Sequence, residues 1–146
     1  MRPQAKSRSD FKYFHAITTR WMDNDAYGHV NNVVYYSWFD TVVNQFLIVN
    51  NVLDIERSPV IGLVIETQCN YFASVAFPER VTAGLRVTKL GKSSVRYEVG
   101  IFREGEESAS AQGHFVHVYV DRDSRKPSAI PDDMRSLLQT IEVSQP

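Results

Sequence analysis

Residues 26–53 contain a single formally charged side chain, Asp40. A segment this apolar has to be enclosed by the rest of the chain, because removing its side chains from water is strongly favourable. Its polar residues Ser37, Asp40, Thr41 and Asn44 stand at i, i+3, i+4 and i+7, the spacing of one helical face. Valines and aromatic residues such as Val34, Tyr35, Trp38, Phe39, Val42 and Phe46 fill nearly everything else. The spacing predicts a helix over residues 31–50, apolar around most of its circumference and therefore buried. Asn50 and Asn51 act as its stop.

What surrounds it changes period from 3.6 to two. Residues 11–21 are β-branched and aromatic and read as a first strand, broken by Asp23-Asn24-Asp25, residues that turn the chain by bonding their own backbone. Residues 61–72 set Ile61, Leu63 and Ile65 against Val64, Glu66 and Gln68. Residues 79–90 put Val81, Ala83, Leu85 and Val87 on one face, and residues 92–103 do the same with Val95, Tyr97, Val99 and Ile101. Residues 107–121 form a last strand with Phe115, His117 and Tyr119 on one side. Gly91 and Gly105 mark short hairpin turns, so these strands are antiparallel neighbours. A short helix over 132–141, capped by Asp132, ends the chain. The fold class is α+β: a curved antiparallel sheet of about five strands around one long buried helix. One curved sheet cannot cover such a helix on every side, so at least a homodimer is expected.

Length and charge narrow the rest. A chain of 146 residues has room for one real core, read here as a flexible tail over residues 1–10 and a single domain over 11–146. The net charge of −1 supplies no field for nucleic acid or a membrane surface. The apolar helix is too interrupted by polar residues to span a bilayer, and residues 1–10 lack the apolar run of a signal peptide. One cysteine, Cys69, leaves no intrachain disulfide and no Cys-rich zinc site. The expectation is a soluble cytoplasmic protein.

The turn before the helix holds the chemistry-bearing residues. A calcium loop starting at Asp23 needs Asp or Asn at its fifth position and Glu at its twelfth, where Tyr27 and Val34 stand. His114 and His117 point to opposite faces of a strand and do not pair on a metal. No metal and no cofactor are expected. Asp25 is either a helix-capping turn residue or a carboxylate beside the helix N-terminus, where free N–H groups and the positive dipole end favour developing negative charge. His29 can bind substrate, shuttle protons or be fixed by hydrogen bonds, and Asn31 and Asn32 cap the helix or shape a pocket. Asp40 is a second candidate carboxylate, or simply satisfied on the polar seam beside Asn44. Glu66 reads as a solvated or subunit-contact residue. Arg86, Lys89, Lys92 and Arg96 form a modest basic cluster around one hairpin.

Trp21, Asp23, Asp25, Gly28, His29, Val30, Asn31, Asn32 and Tyr35 together form a pattern Trp-x-Asp-x-Asp-x-x-Gly-His-Val-Asn-Asn followed by an aromatic helix. That pattern resembles the 4-hydroxybenzoyl-CoA thioesterase-like family of hot-dog-fold acyl-CoA thioesterases. The resemblance implies a hot-dog fold, cytoplasmic homodimers or homotetramers, and hydrolysis of an acyl-CoA to free acid and CoA without metal or cofactor. It implies that Asp25 is the catalytic carboxylate, as base or nucleophile, and that the donor polarising the thioester carbonyl lies near Asn32. Gly28, His29 and Asn31 are expected around the substrate, Asp23 either there or as a turn former and support for Asp25, and Lys92 and Ser93 at CoA phosphates. The hydroxybenzoyl enzymes lack the His-Val-Asn-Asn run, so the chain is closer to the broader acyl-CoA branch. A non-catalytic acyl-CoA or acyl-carrier binding protein, and a hot-dog dehydratase, are the alternatives.

Overall fold

A computed structural model of the protein describes residues 3–144. Its elements are β1 (Tyr13–Thr18), α1 (Asn32–Val49), β2 (Val60–Tyr71), β3 (Arg80–Leu90), β4 (Ser94–Arg103), β5 (Ala111–Asp121) and α2 (Asp132–Gln139). The five strands form one sheet in the order β1-β3-β4-β5-β2, antiparallel throughout. After α1 the chain crosses to the far edge, so β1 and β2 are the two edge strands. Alternation placed the core of the central strands correctly. Val81, Ala83, Leu85 and Val87 of β3 and Val95, Tyr97, Val99 and Ile101 of β4 are buried against Trp38, Phe39, Val42, Val43, Phe46 and Leu47 of α1. Each fully buried residue of Leu or Phe size contributes about 1.5–3 kcal/mol by leaving water.

The helix begins and ends within a residue of the expected bounds. Asn31 is its N-cap, its side chain accepting from Val33 N–H, and Asn50 is its C-cap. The sheet does not surround it. Val33, Ile48 and Val49 are exposed apolar residues on α1, and Ser37, Asp40 and Thr41 of the polar seam are exposed beside them.

Three expectations need correction. Residues 4–10 are not a loose tail. They cross the outer face of the sheet, where Lys6 N–H donates to Gln112 Oε1 (2.7 Å), Ala109 N–H donates to Lys6 C=O (2.8 Å), and Phe11 packs over Gly84 and Gly100. Two glycines facing an aromatic ring make a socket that only tertiary pairing assembles. Met1 and Arg2 lie outside the described residues. The apolar face of Ile61, Leu63 and Ile65 expected for β2 is not core: Leu63 and Ile65 are exposed, because β2 is an edge strand with a bulge between Val64 and Glu66. Finally, α2 is capped by Pro131, with Asp132 as its first residue and no side-chain cap.

Candidate active site

Asp25 sits at the tip of a small hairpin joining β1 to α1. Asn24 and Val30 bridge its base; Asp25 N–H donates to His29 C=O (2.9 Å) and Gly28 N–H to Asp25 C=O (3.1 Å). Gly28 takes φ +86°, a backbone conformation nearly free for glycine and costly for other residues. One carboxylate oxygen of Asp25 accepts Tyr27 N–H (2.8 Å), the local bond that makes Asp a turn former. The other lies 3.9 Å from His29 Nδ1. Two long-range bonds strap this hairpin to the chain after β2: Val30 N–H to Val75 C=O (2.7 Å) and Phe77 N–H to Asn24 Oδ1 (3.0 Å).

The strapping creates a cleft of about 430 Å³ between the hairpin, the first turn of α1 and the end of β2; Asp25, His29, Asn32, Tyr35, Tyr71 and Ser74 are among its walls. A helix leaves its first N–H groups without intrahelical partners. Here Val33 N–H donates to Asn31 Oδ1 (3.0 Å) and Val34 N–H to Asn31 C=O (3.0 Å). Among the described residues, Asn32 N–H has no acceptor. Asp25 and Asn32, the latter with its N–H at the positive end of an 18-residue helix, therefore line one cleft.

The other candidate residues are distributed by role. Asp23 does not reach the cleft: its side chain is 0% exposed, and its carboxylate takes Arg20 N–H (2.8 Å), Nε (3.0 Å) and Nη2 (2.8 Å). Its backbone C=O accepts Asn31 N–H (2.9 Å), so Asp23 braces the helix start as a support for the turn. Gly28 shapes the turn and Asn31 caps the helix. Lys92 and Ser93 follow the far end of β3, whose other end, at Arg80, pairs with Thr18 beside the hairpin. Eleven residues of strand span roughly 33 Å, so these two residues stand at the far end of the sheet from the Asp25 cleft of their own chain. The basic cluster also divides. Arg86 is bound by Glu98 (2.6 and 2.9 Å) and Asp10 C=O (3.0 Å), and Arg96 stands 3.8 Å from Glu98.

Tyr71 and the segment 72–75 were not foreseen. They enter the cleft through the β2–β5 pairing, and the only mark in the sequence is an aromatic pair, Tyr71-Phe72, at a strand end. Asn44 bonds the backbone C=O of Asp40 (2.8 Å), not its carboxyl group, and partial burial pushes that carboxyl group above its ordinary range. Glu66 pairs with His114 (2.8 Å) on the outer face. His117 is inside, and burial pushes its imidazole down to about 4. Among the described residues, no group of three or more His, Cys, Asp or Glu is placed to hold a metal ion, and no helix is long and apolar enough to cross a membrane.

A second cleft, of about 760 Å³, lies at the opposite end of α1 and is walled by Ile48, Leu53, Ile55 and Val60 among others. Its loop is held stiffly by Arg122, which donates to Ser58 C=O and Ile55 C=O (both 2.6 Å).

A long helix held against a five-stranded antiparallel sheet, with a carboxylate at the helix N-terminus, defines a hot-dog domain. The model of the thioesterase-like superfamily matches residues 19–138, and the chain belongs to that superfamily. The crystal structure of the PA5185 protein from Pseudomonas aeruginosa is similar with a TM-score of 0.94 and 51% identity, covering 97% of this chain and 99% of that one. The PA2801 protein of the same organism has a TM-score of 0.79 and 26% identity over 84% of this chain and 95% of its own. The uncharacterized protein YsmA of Bacillus subtilis is 26% identical over 137 residues, 93% of this chain and 91% of that protein.

Proposed function

We propose that the protein is an acyl-CoA thioesterase acting in the cytoplasm as a homodimer or larger homo-oligomer. The observation that carries this is that Asp25 and Asn32, whose N–H has no acceptor among the described residues, line one cleft. Thioester hydrolysis needs an attacking oxygen and a place for the charge that develops on the carbonyl oxygen. As a base, Asp25 takes a proton from water while the water oxygen bonds to the carbonyl carbon. The resulting oxyanion accepts from Asn32 N–H at the positive end of α1, a preorganised donor typically worth about 3 kcal/mol in the transition state. Collapse re-forms the C=O bond and expels the CoA thiolate, which recovers the proton from Asp25. As a nucleophile, Asp25 bonds to the carbonyl carbon directly, the thiolate leaves, and water cleaves the mixed anhydride. Both routes use the same two groups.

Three features support a second subunit. The edge of the 12-residue strand β2 is open to pairing. Exposed apolar residues stand at both of its ends, Ile48 and Ile55 near Val60, and Tyr71 and Phe72 at the other. Pairing β2 with its own copy about a two-fold axis brings these ends together, and it carries the partner's Lys92 toward the Asp25 cleft. The test is thiol release from purified protein across short, medium, long and aromatic acyl-CoAs. Release of CoA from at least one class is expected; tight binding with no release from any would make this a binding protein instead.

A further inference from the structure

The geometry points to Tyr71 as a positioning residue for the oxyanion donor, holding the peptide next to the free Asn32 N–H from the edge strand; this rests on the thioesterase reading. The peptide joining Asn32 to Val33 is gripped at both of its polar groups. Its N–H donates to Asn31 Oδ1 (3.0 Å), and its C=O accepts the Tyr71 hydroxyl (3.2 Å). The preceding peptide carries the free N–H, and its own C=O accepts Val34 N–H (3.0 Å). One residue earlier, Asn31 N–H is fixed on Asp23 C=O (2.9 Å). Among the described residues, Asn32 N–H is thus a free backbone donor between peptide groups that are held, which is the condition for a donor to stabilise an oxyanion without reorganising.

Tyr71 is built to hold rather than to react. Its hydroxyl proton is directed at the Asn32 carbonyl, with the Cys69 thiol beside it as a second acceptor. Its ring packs edge-on against Tyr35 with centroids 5.0 Å apart, and its backbone ends the β2–β5 ladder opposite Ala111. Partial burial and the neighbouring Cys69 and tyrosines push its phenol above the usual range. The same side chain that walls the cleft therefore ties the helix N-terminus to the sheet edge.

Tyr71→Phe keeps the ring and removes only the hydroxyl. The loss of one neutral hydrogen bond acting through the donor predicts a kcat lower by roughly five- to tenfold, with KM within about twofold. A second readout needs no turnover. In an Asp25→Asn background, the infrared C=O stretch of a bound carbon-13-labelled acyl-CoA lies below its value in water, and adding Tyr71→Phe moves it back toward that value. Asn31→Ala releases the other end of the same peptide and gives the same signature. Combined with Tyr71→Phe it costs less than the product of the two single effects, because both act on one peptide. Folded Tyr71→Phe with unchanged kcat and an unshifted stretch overturns the inference, as does a loss carried wholly by KM, which would make Tyr71 a substrate contact. If the wild-type protein binds acyl-CoA without hydrolysing it, the thioesterase reading fails while the stretch still decides the role of Tyr71. Absence of any acyl-CoA binding overturns both.

Discussion

Asp23 and Asp25 stand two positions apart and meet opposite surroundings. The first is sealed and bonded three times by Arg20; the second is 22% exposed and opens on the cleft. One is structural brace, the other is the candidate for chemistry, and the Asp-x-Asp spacing alone does not say which. Both carry the same charge and turn propensity; Arg20, three residues before Asp23, and the tertiary strap through Val75 and Phe77 separate them. The buried His117 lends itself to measurement. Its folded-state pKa is pushed down to about 4 from an ordinary 6.5. Between those values the unfolded chain takes a proton that the folded chain refuses, so stability is lost as pH falls through that window. The loss amounts to about 2 kcal/mol by pH 5 and about 3 kcal/mol at its limit. His117→Leu should remove it, and urea unfolding at pH 7 and pH 5 should show the wild type losing about 2 kcal/mol more than the variant. Equal losses would mean that His117 is not held neutral by its surroundings.

At the scale of elements, α1 and the central strands were legible because burial on one side stamps its period on the sequence. Asn31 and Asn50 bound the helix as their types foretell. The edge strand was less legible. Ile61, Leu63 and Ile65 alternate as a buried strand does, yet Ile65 is 63% exposed, since β2 is an edge strand and alternation does not tell an edge from a centre. Tyr71 escaped notice for a related reason: its place is set by pairing with β5, far along the chain. That pairing is close. A Cβ on Gly113 of β5 would lie 1.8 Å from the Gln68 carbonyl oxygen of β2, a backbone atom that cannot yield without moving the strand. Gly113→Ala should destabilise the fold by at least about 2 kcal/mol in urea unfolding, and lower activity further by loosening Tyr71. Wild-type stability in this variant would contradict the β2–β5 register.

At the level of the whole molecule, the proposed site is completed across two chains. Lys92 stands at the wrong end of β3 for its own Asp25, and the exposed ends of β2 match each other when related by a two-fold axis. In the proposed dimer, Lys92→Ala should raise KM by about tenfold, the value of one charge-assisted phosphate contact. Heterodimers of Lys92→Ala with Asp25→Asn chains, purified through two different tags, retain one live site, built from the unaltered Asp25 and the partner's Lys92. That site should show the wild-type KM; a KM as high as that of the Lys92→Ala homodimer would place Lys92 and Asp25 in one subunit, against the proposed geometry. The most direct test of the whole account is the turnover of Asp25→Asn against the acyl-CoA the wild type prefers. The account predicts that kcat falls by at least about a thousandfold while circular dichroism and oligomer size stay unchanged. Full turnover in a folded Asp25→Asn protein would contradict it.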